Sequence, residues 1–151
     1  MKKLVLIIFL LLTLSITCFS YKKVCFYIFY SYNCLECQHT IKEFLPPIIN
    51  EYRDFVEIKY FEVNNIKNYE VQLKIEQELN KTGQEYPFIL IGDYYFDYHE
   101  ILKKFEKVFK EYIEQGLNCR FEDIINDGSF TTYPVWEVSY KESETEHEKS
   151  I

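Results

Sequence analysis

Val24-Cys25-Phe26-Tyr27-Ile28-Phe29-Tyr30, then Ser31-Tyr32-Asn33, then Cys34-Leu35-Glu36-Cys37 is the stretch that decides the fold. The first seven residues are apolar on both alternating faces, β-branched and aromatic. That pattern predicts a strand covered on both sides, as in the middle of an α/β sheet. Ser31 to Asn33 break it. A helix is predicted over 35–44, with Leu35, Ile41, Phe44 and Leu45 apolar and a kink at Pro46 and Pro47. Cys34 then stands at a helix N-terminus, where unpaired backbone N–H groups and the helix dipole favour a thiolate. Cys37 lies one turn on, placed to attack a mixed disulfide formed on Cys34.

Outward from this stretch, 55–63 reads as a second strand, with Val56, Ile58 and Tyr60 on one face and Phe61 and Val63 on the other. Asn64 or Asn65 can cap a following helix over 66–81 whose periodic stripe runs through Ile66, Tyr69, Leu73, Glu76 and Leu79. Gly83 is placed as its C-terminal glycine. Two short strands, 88–91 and 94–96, flank Gly92-Asp93, a hairpin signal. Ile101, Leu102, Phe105, Val108, Phe109, Tyr112 and Ile113 form a helical stripe that Gly116 ends. The expected order is β-α-β-α-β-β-α, a mixed four-stranded sheet with flanking helices. Its first two strands are parallel through a right-handed crossover.

With these residues in view, the chain resembles the thioredoxin-like superfamily, and within it the small exported thioredoxin- and glutaredoxin-like domains. The resemblance rests on Val24 to Tyr30, Cys34-Leu35-Glu36-Cys37, Tyr86-Pro87, the Gly92-Asp93 hairpin and the last helix. It spans residues 22–115. It implies that Pro87 follows a cis bond and faces the cysteines, and that Tyr86 offers its backbone to an extended substrate segment. It also implies protein disulfides as substrates, no organic cofactor, and, for some members, a membrane electron-carrying partner. The chain departs from the family at three places. Ile28 stands where thioredoxin has a buried Asp. Phe96-Asp97-Tyr98-His99 replaces the Gly-Gly step with which glutaredoxins hold glutathione. The dipeptide between the cysteines is Leu-Glu. Glu36 sets a negative charge beside Cys34 and opposes its thiolate, and a protonated His39 offsets part of that.

Composition agrees with a single domain. The chain has 151 residues, 48% hydrophobic and 27% charged, with 14 Tyr and 13 Phe to build a core. A net charge of −7 argues against a nucleic-acid partner. The expected state is a monomer. Residues 1–20 read as an export leader, a short basic start followed by an apolar run of about 13 residues, shorter than the ~20 that span a bilayer. A cut after Ser20 is the first reading; lipidation of Cys18 or an uncleaved anchor are its rivals. The domain then covers 21–116, an extension 117–140 holds a helical turn near 121–125 and a strand over 132–140, and 141–151 is a polar mobile tail. Cys25 reads as an inert small hydrophobe and Cys119 as a free thiol. Cys34 and Cys37 could alternatively form a static disulfide or a metal pair, although zinc wants four ligands. The expected function is an exported thiol-disulfide oxidoreductase. Its alternatives are a copper(I) carrier and a catalytically silent binding module on the same fold.

Overall fold

The computed structural model describes residues 23–82, 85–116 and 119–136. The leader with Cys18, Gly83, positions 137–140 of the expected last strand and the 141–151 tail lie outside these residues. The elements run β1 (Val24–Tyr30), α1 (Leu35–His39), a π turn (Thr40–Phe44), α2 (Leu45–Tyr52), a 3₁₀ turn (Arg53–Phe55), β2 (Val56–Glu62), α3 (Ile66–Glu78), β3 (Phe88–Ile91), β4 (Tyr94–Phe96), α4 (Tyr98–Gln115) and α5 (Glu122–Ile125). The sheet order is β2-β1-β3-β4. β1 and β2 are parallel, and the other neighbours are antiparallel. A mixed four-stranded α/β sheet with this helix placement fits a thioredoxin-like fold.

β1 is central, so both its faces are covered and all seven of its residues are buried. Val24, Phe26, Ile28 and Tyr30 meet Ile41, Leu45, Phe105 and Phe109 on one face. Cys25, Tyr27 and Phe29 meet Phe61, Val71, Ile75 and Ile125 on the other. There, four rings cross the whole sheet. Phe29 stacks on Phe61 at 4.7 Å and on Phe88 at 4.4 Å, and Phe88 stacks on Tyr95 at 4.6 Å. Such cross-strand aromatic pairs fix register.

The proline kink takes a particular form. The helix runs on, and the strain is absorbed upstream, where the Leu45 N–H bonds the Thr40 carbonyl in a π turn. Pro46 and Pro47 then occupy the first turn of α2, where no N–H is required.

Two helix readings need correction. α3 buries Asn68, Val71, Gln72, Ile75 and Glu76, while Ile66, Tyr69 and Leu73 are exposed. The polar residues can face inward because they are paired. Asn68 donates to the Glu62 and Ser129 carbonyls at 2.9 and 3.1 Å, and Gln72 donates to Glu76 at 2.7 Å. The left-handed residue that ends α3 is Asn80, at φ 52°. The Lys81 N–H then reaches back to the Glu76 carbonyl at 2.8 Å. In α4 the predicted stripe is buried apart from Leu102, and Gly116 ends the helix at φ 62°. In the hairpin, Gly92 has φ 54°, and an added Cβ would meet the Tyr112 ring.

The extension is part of the core. Cys119 forms a disulfide with Cys25, which corrects the reading of Cys25 as an inert hydrophobe and of Cys119 as a free thiol. Their Cα atoms are 4.8 Å apart, within bridging range. Ile125 is fully buried against the same face. The chain then turns round the β2 edge, where Thr131 and Tyr60 exchange backbone hydrogen bonds of 2.8 and 3.0 Å. On the far face the Tyr30 hydroxyl accepts from the Val135 N–H at 2.6 Å, and Trp136 packs on the Tyr30 ring. Residues 132–136 form no strand. Among the described residues no helix is long and apolar enough to cross a membrane.

The buried tyrosines give an alkaline liability. Burial holds the Tyr60 phenol up at about 12, and raises Tyr27, Tyr30 and Tyr95 from their ordinary value of 10.0 as well. The folded state therefore keeps protons that the unfolded chain releases. This stability is fully present below pH 10 and is lost as pH rises through about 12. The denaturant midpoint is expected to fall across that window together with the rise in phenolate absorbance; a flat midpoint there would contradict the assignment.

Candidate active site

The topology brings three chain segments to one end of the sheet. β1 leaves at Tyr30, β3 runs antiparallel and enters with Phe88 opposite Phe29, and β4 leaves with Phe96 opposite Ile89. The Cys34 loop, the Tyr86-Pro87 step and the start of α4 are consequently neighbours.

Cys34 is the N-cap of α1 and is disulfide-bonded to Cys37, with Cα atoms 5.2 Å apart. Its sulfur accepts the Cys37 N–H at 3.0 Å, the bond that would steady a thiolate in the reduced pair. Cys34 is half-buried, whereas Cys37 is fully buried. The outer sulfur is the one a second molecule can reach.

The Tyr86–Pro87 bond is cis, as the resemblance implies. The Tyr86 carbonyl oxygen lies 3.6 Å from Cys34 Sγ. Pro87 is buried beside it. The Tyr86 ring is held from below, because its hydroxyl donates to Gln72 at 2.6 Å and Gln72 donates to Glu76. Burial raises the Tyr86 phenol pKa, and the Gln72 hydrogen bond opposes that shift. The inward-turned polar face of α3 thus anchors the residue that lines the cysteine pair.

Glu36 Oε2 is 3.8 Å from Cys34 Sγ, so the carboxylate does stand beside the sulfur. His39 does not join them; its imidazole lies 3.9 Å from the Glu43 carboxylate, one turn further along. Ile28, in the place of thioredoxin's Asp, is fully buried, and Glu76 is the one ionisable side chain among the buried polar residues described. It packs behind Tyr86, on the face away from Cys37.

Glu85, Tyr98 and His99 also reach the site, lining with Cys34, Glu36 and Tyr86 an open groove of about 430 Å³. Sequence reading set Tyr98 and His99 at the step where glutaredoxins hold glutathione, but named neither them nor Glu85 among the site residues. The signal was in the topology: an antiparallel β3-β4 hairpin returns the start of α4 to the end of the sheet where β1 leaves.

Among the described residues, one group of three possible metal ligands gathers, namely Cys25, Cys119 and Glu122. Its two sulfurs are bonded to each other. No family model, curated protein or solved structure matches the chain.

A full negative charge at this distance from a developing thiolate is unfavourable. Glu36→His is therefore expected to lower the Cys34 thiol pKa and to speed its alkylation at neutral pH roughly threefold to tenfold. The pair should also become more oxidising. A variant with the wild-type alkylation profile and potential would remove Glu36 from the site's electrostatics.

Proposed function

We propose that the chain is an exported thiol-disulfide oxidoreductase of thioredoxin-like type, acting on protein disulfides. The observation that carries this reading is the placement of Cys34. Its sulfur is half-buried at a helix N-terminus, bonded to the buried Cys37 and faced by the Tyr86 carbonyl. In the reduced pair the Cys34 thiolate attacks one sulfur of a substrate disulfide. The substrate S–S bond breaks, a Cys34–substrate disulfide forms, and the expelled thiolate takes a proton. Cys37 then gives up its proton and attacks Cys34 Sγ, which restores the intramolecular disulfide and expels the second substrate thiol. Two electrons pass from the dithiol to the substrate, and an external dithiol must return them. Tyr86 positions the substrate segment, and no cofactor takes part.

Export is supported by the leader-like residues 1–20 and by the second bridge, Cys25–Cys119, since such disulfides are rare in the reducing cytosol. The opposing charge of Glu36 favours a reductant or isomerase over a strong oxidant, because strong oxidants owe their potential to a stabilised thiolate. The deciding measurement is the reduction potential of the Cys34–Cys37 pair in glutathione and dithiothreitol buffers, together with reduction of a protein disulfide. A pair that stays oxidised in excess dithiothreitol, or a dithiol form that leaves protein disulfides intact, would overturn the reading.

A further inference from the structure

The groove beside Cys34 has a definite chemical character. Glu36 and Glu85 both line it, and among the described residues no lysine or arginine does. Glu36 is next to the sulfur at 3.8 Å, and Glu85 sits immediately before Tyr86, the residue whose carbonyl faces that sulfur. The basic group among the described lining residues, the His99 imidazole, lies 3.7 Å from Glu85, and both side chains are about 70% exposed (69% and 71%). Tyr86 and Tyr98 line the same groove. Leu35 stands beside the pair with 76% of its surface in solvent.

We infer that this groove selects disulfides flanked by lysine or arginine, and disfavours anionic thiol compounds such as glutathione. The inference rests on the oxidoreductase reading and names its substrate class. A chain passing Cys34 close enough for sulfur attack enters the groove that Glu36 and Glu85 both line. A cationic side chain next to the substrate cysteine then meets a carboxylate and an aromatic face together, the pairing that holds ammonium and guanidinium groups. An acidic neighbour meets like charge there instead. The overall charge of −7 acts in the same direction during approach.

The test uses the full chain, reduced beforehand, in single-turnover reaction with three synthetic peptides. Each peptide has one intramolecular disulfide, flanked by lysines, by glutamines or by glutamates; oxidised glutathione is the fourth substrate. The expected order of second-order rate constants is lysine, glutamine, glutamate, with about tenfold between the extremes at low salt. Oxidised glutathione should fall with the glutamate peptide. The lysine-to-glutamate ratio should shrink to about twofold in high salt and in the Glu36→Gln/Glu85→Gln variant. The ratio is the readout because any change in the sulfur's own reactivity cancels in it. Equal rates for the three peptides, or a ratio that survives removal of both carboxylates, overturns the selectivity and leaves the oxidoreductase reading standing. Failure to reduce any of the four substrates overturns both.

Discussion

Cys34→Ser is expected to abolish disulfide exchange, by a thousandfold or more in order of magnitude, and Cys37→Ser to accumulate a mixed disulfide with substrate. The two sulfurs share one bond but not one environment. Cys34 caps the helix, takes the Cys37 N–H and opens on the groove, while Cys37 is fully buried beneath it. Only the outer sulfur can start an exchange, and the inner one is placed to finish it. Without Cys37 the first step still proceeds, and its product has no internal thiol to release it. Alkylation of the reduced protein, mapped by mass spectrometry, checks the order of events. Modification of Cys37 ahead of Cys34 would reverse the roles.

Cys119→Ala is expected to lower the stability of the fold by ~2–5 kcal/mol, the range for a native bridge in a small domain. The closed loop is long, with 94 residues of sequence separation between Cys25 and Cys119, and long loops restrict the unfolded chain most. The bridge also pins the segment that carries Ile125 into the core and Trp136 onto Tyr30. Denaturant unfolding with and without reductant measures it, in a background carrying Cys34→Ser and Cys37→Ser. Reductant should destabilise that background and leave its Cys119→Ala derivative unmoved. Equal reductant sensitivity in the two proteins would exclude a structural bridge.

Much of this arrangement was legible because its signals are local. Seven consecutive apolar residues announce β1, Cys34 and Cys37 announce the helix start that follows it, and Gly92 and Gly116 mark positions where the backbone takes positive φ. What was hidden depends on partners far along the chain. Asn68 and Gln72 look like the solvent face of α3, Glu76 falls on the expected stripe without being apolar, and nothing within the helix shows that Ser129 and Tyr86 wait to pair with this face. Asn80 was passed over for Gly83 because glycine is the commoner left-handed residue. The Cys25–Cys119 pairing had a numerical clue, since a leader containing Cys18 leaves an even four cysteines to the rest of the chain. Glu85 carries no motif and His99 only its place at the glutaredoxin step, and the antiparallel return of β3 and β4 makes both neighbours of Cys34.

The bridge between β1 and the segment after α4 also sets an order of events in the life of the chain. Cys25 belongs to the first strand to be synthesised, and its partner follows almost a hundred residues later, after every strand of the sheet. Until then the β2 edge lacks its Thr131 contact and Tyr30 lacks Trp136. During that interval Cys34 is the nearer thiol in sequence to Cys25 and the more accessible of the early cysteines. Until Cys119 is made, Cys34 and Cys37 are the other described cysteines that Cys25 can meet. In the finished fold the burial of β1 keeps Cys25 away from the earlier pair and joined to the later residue.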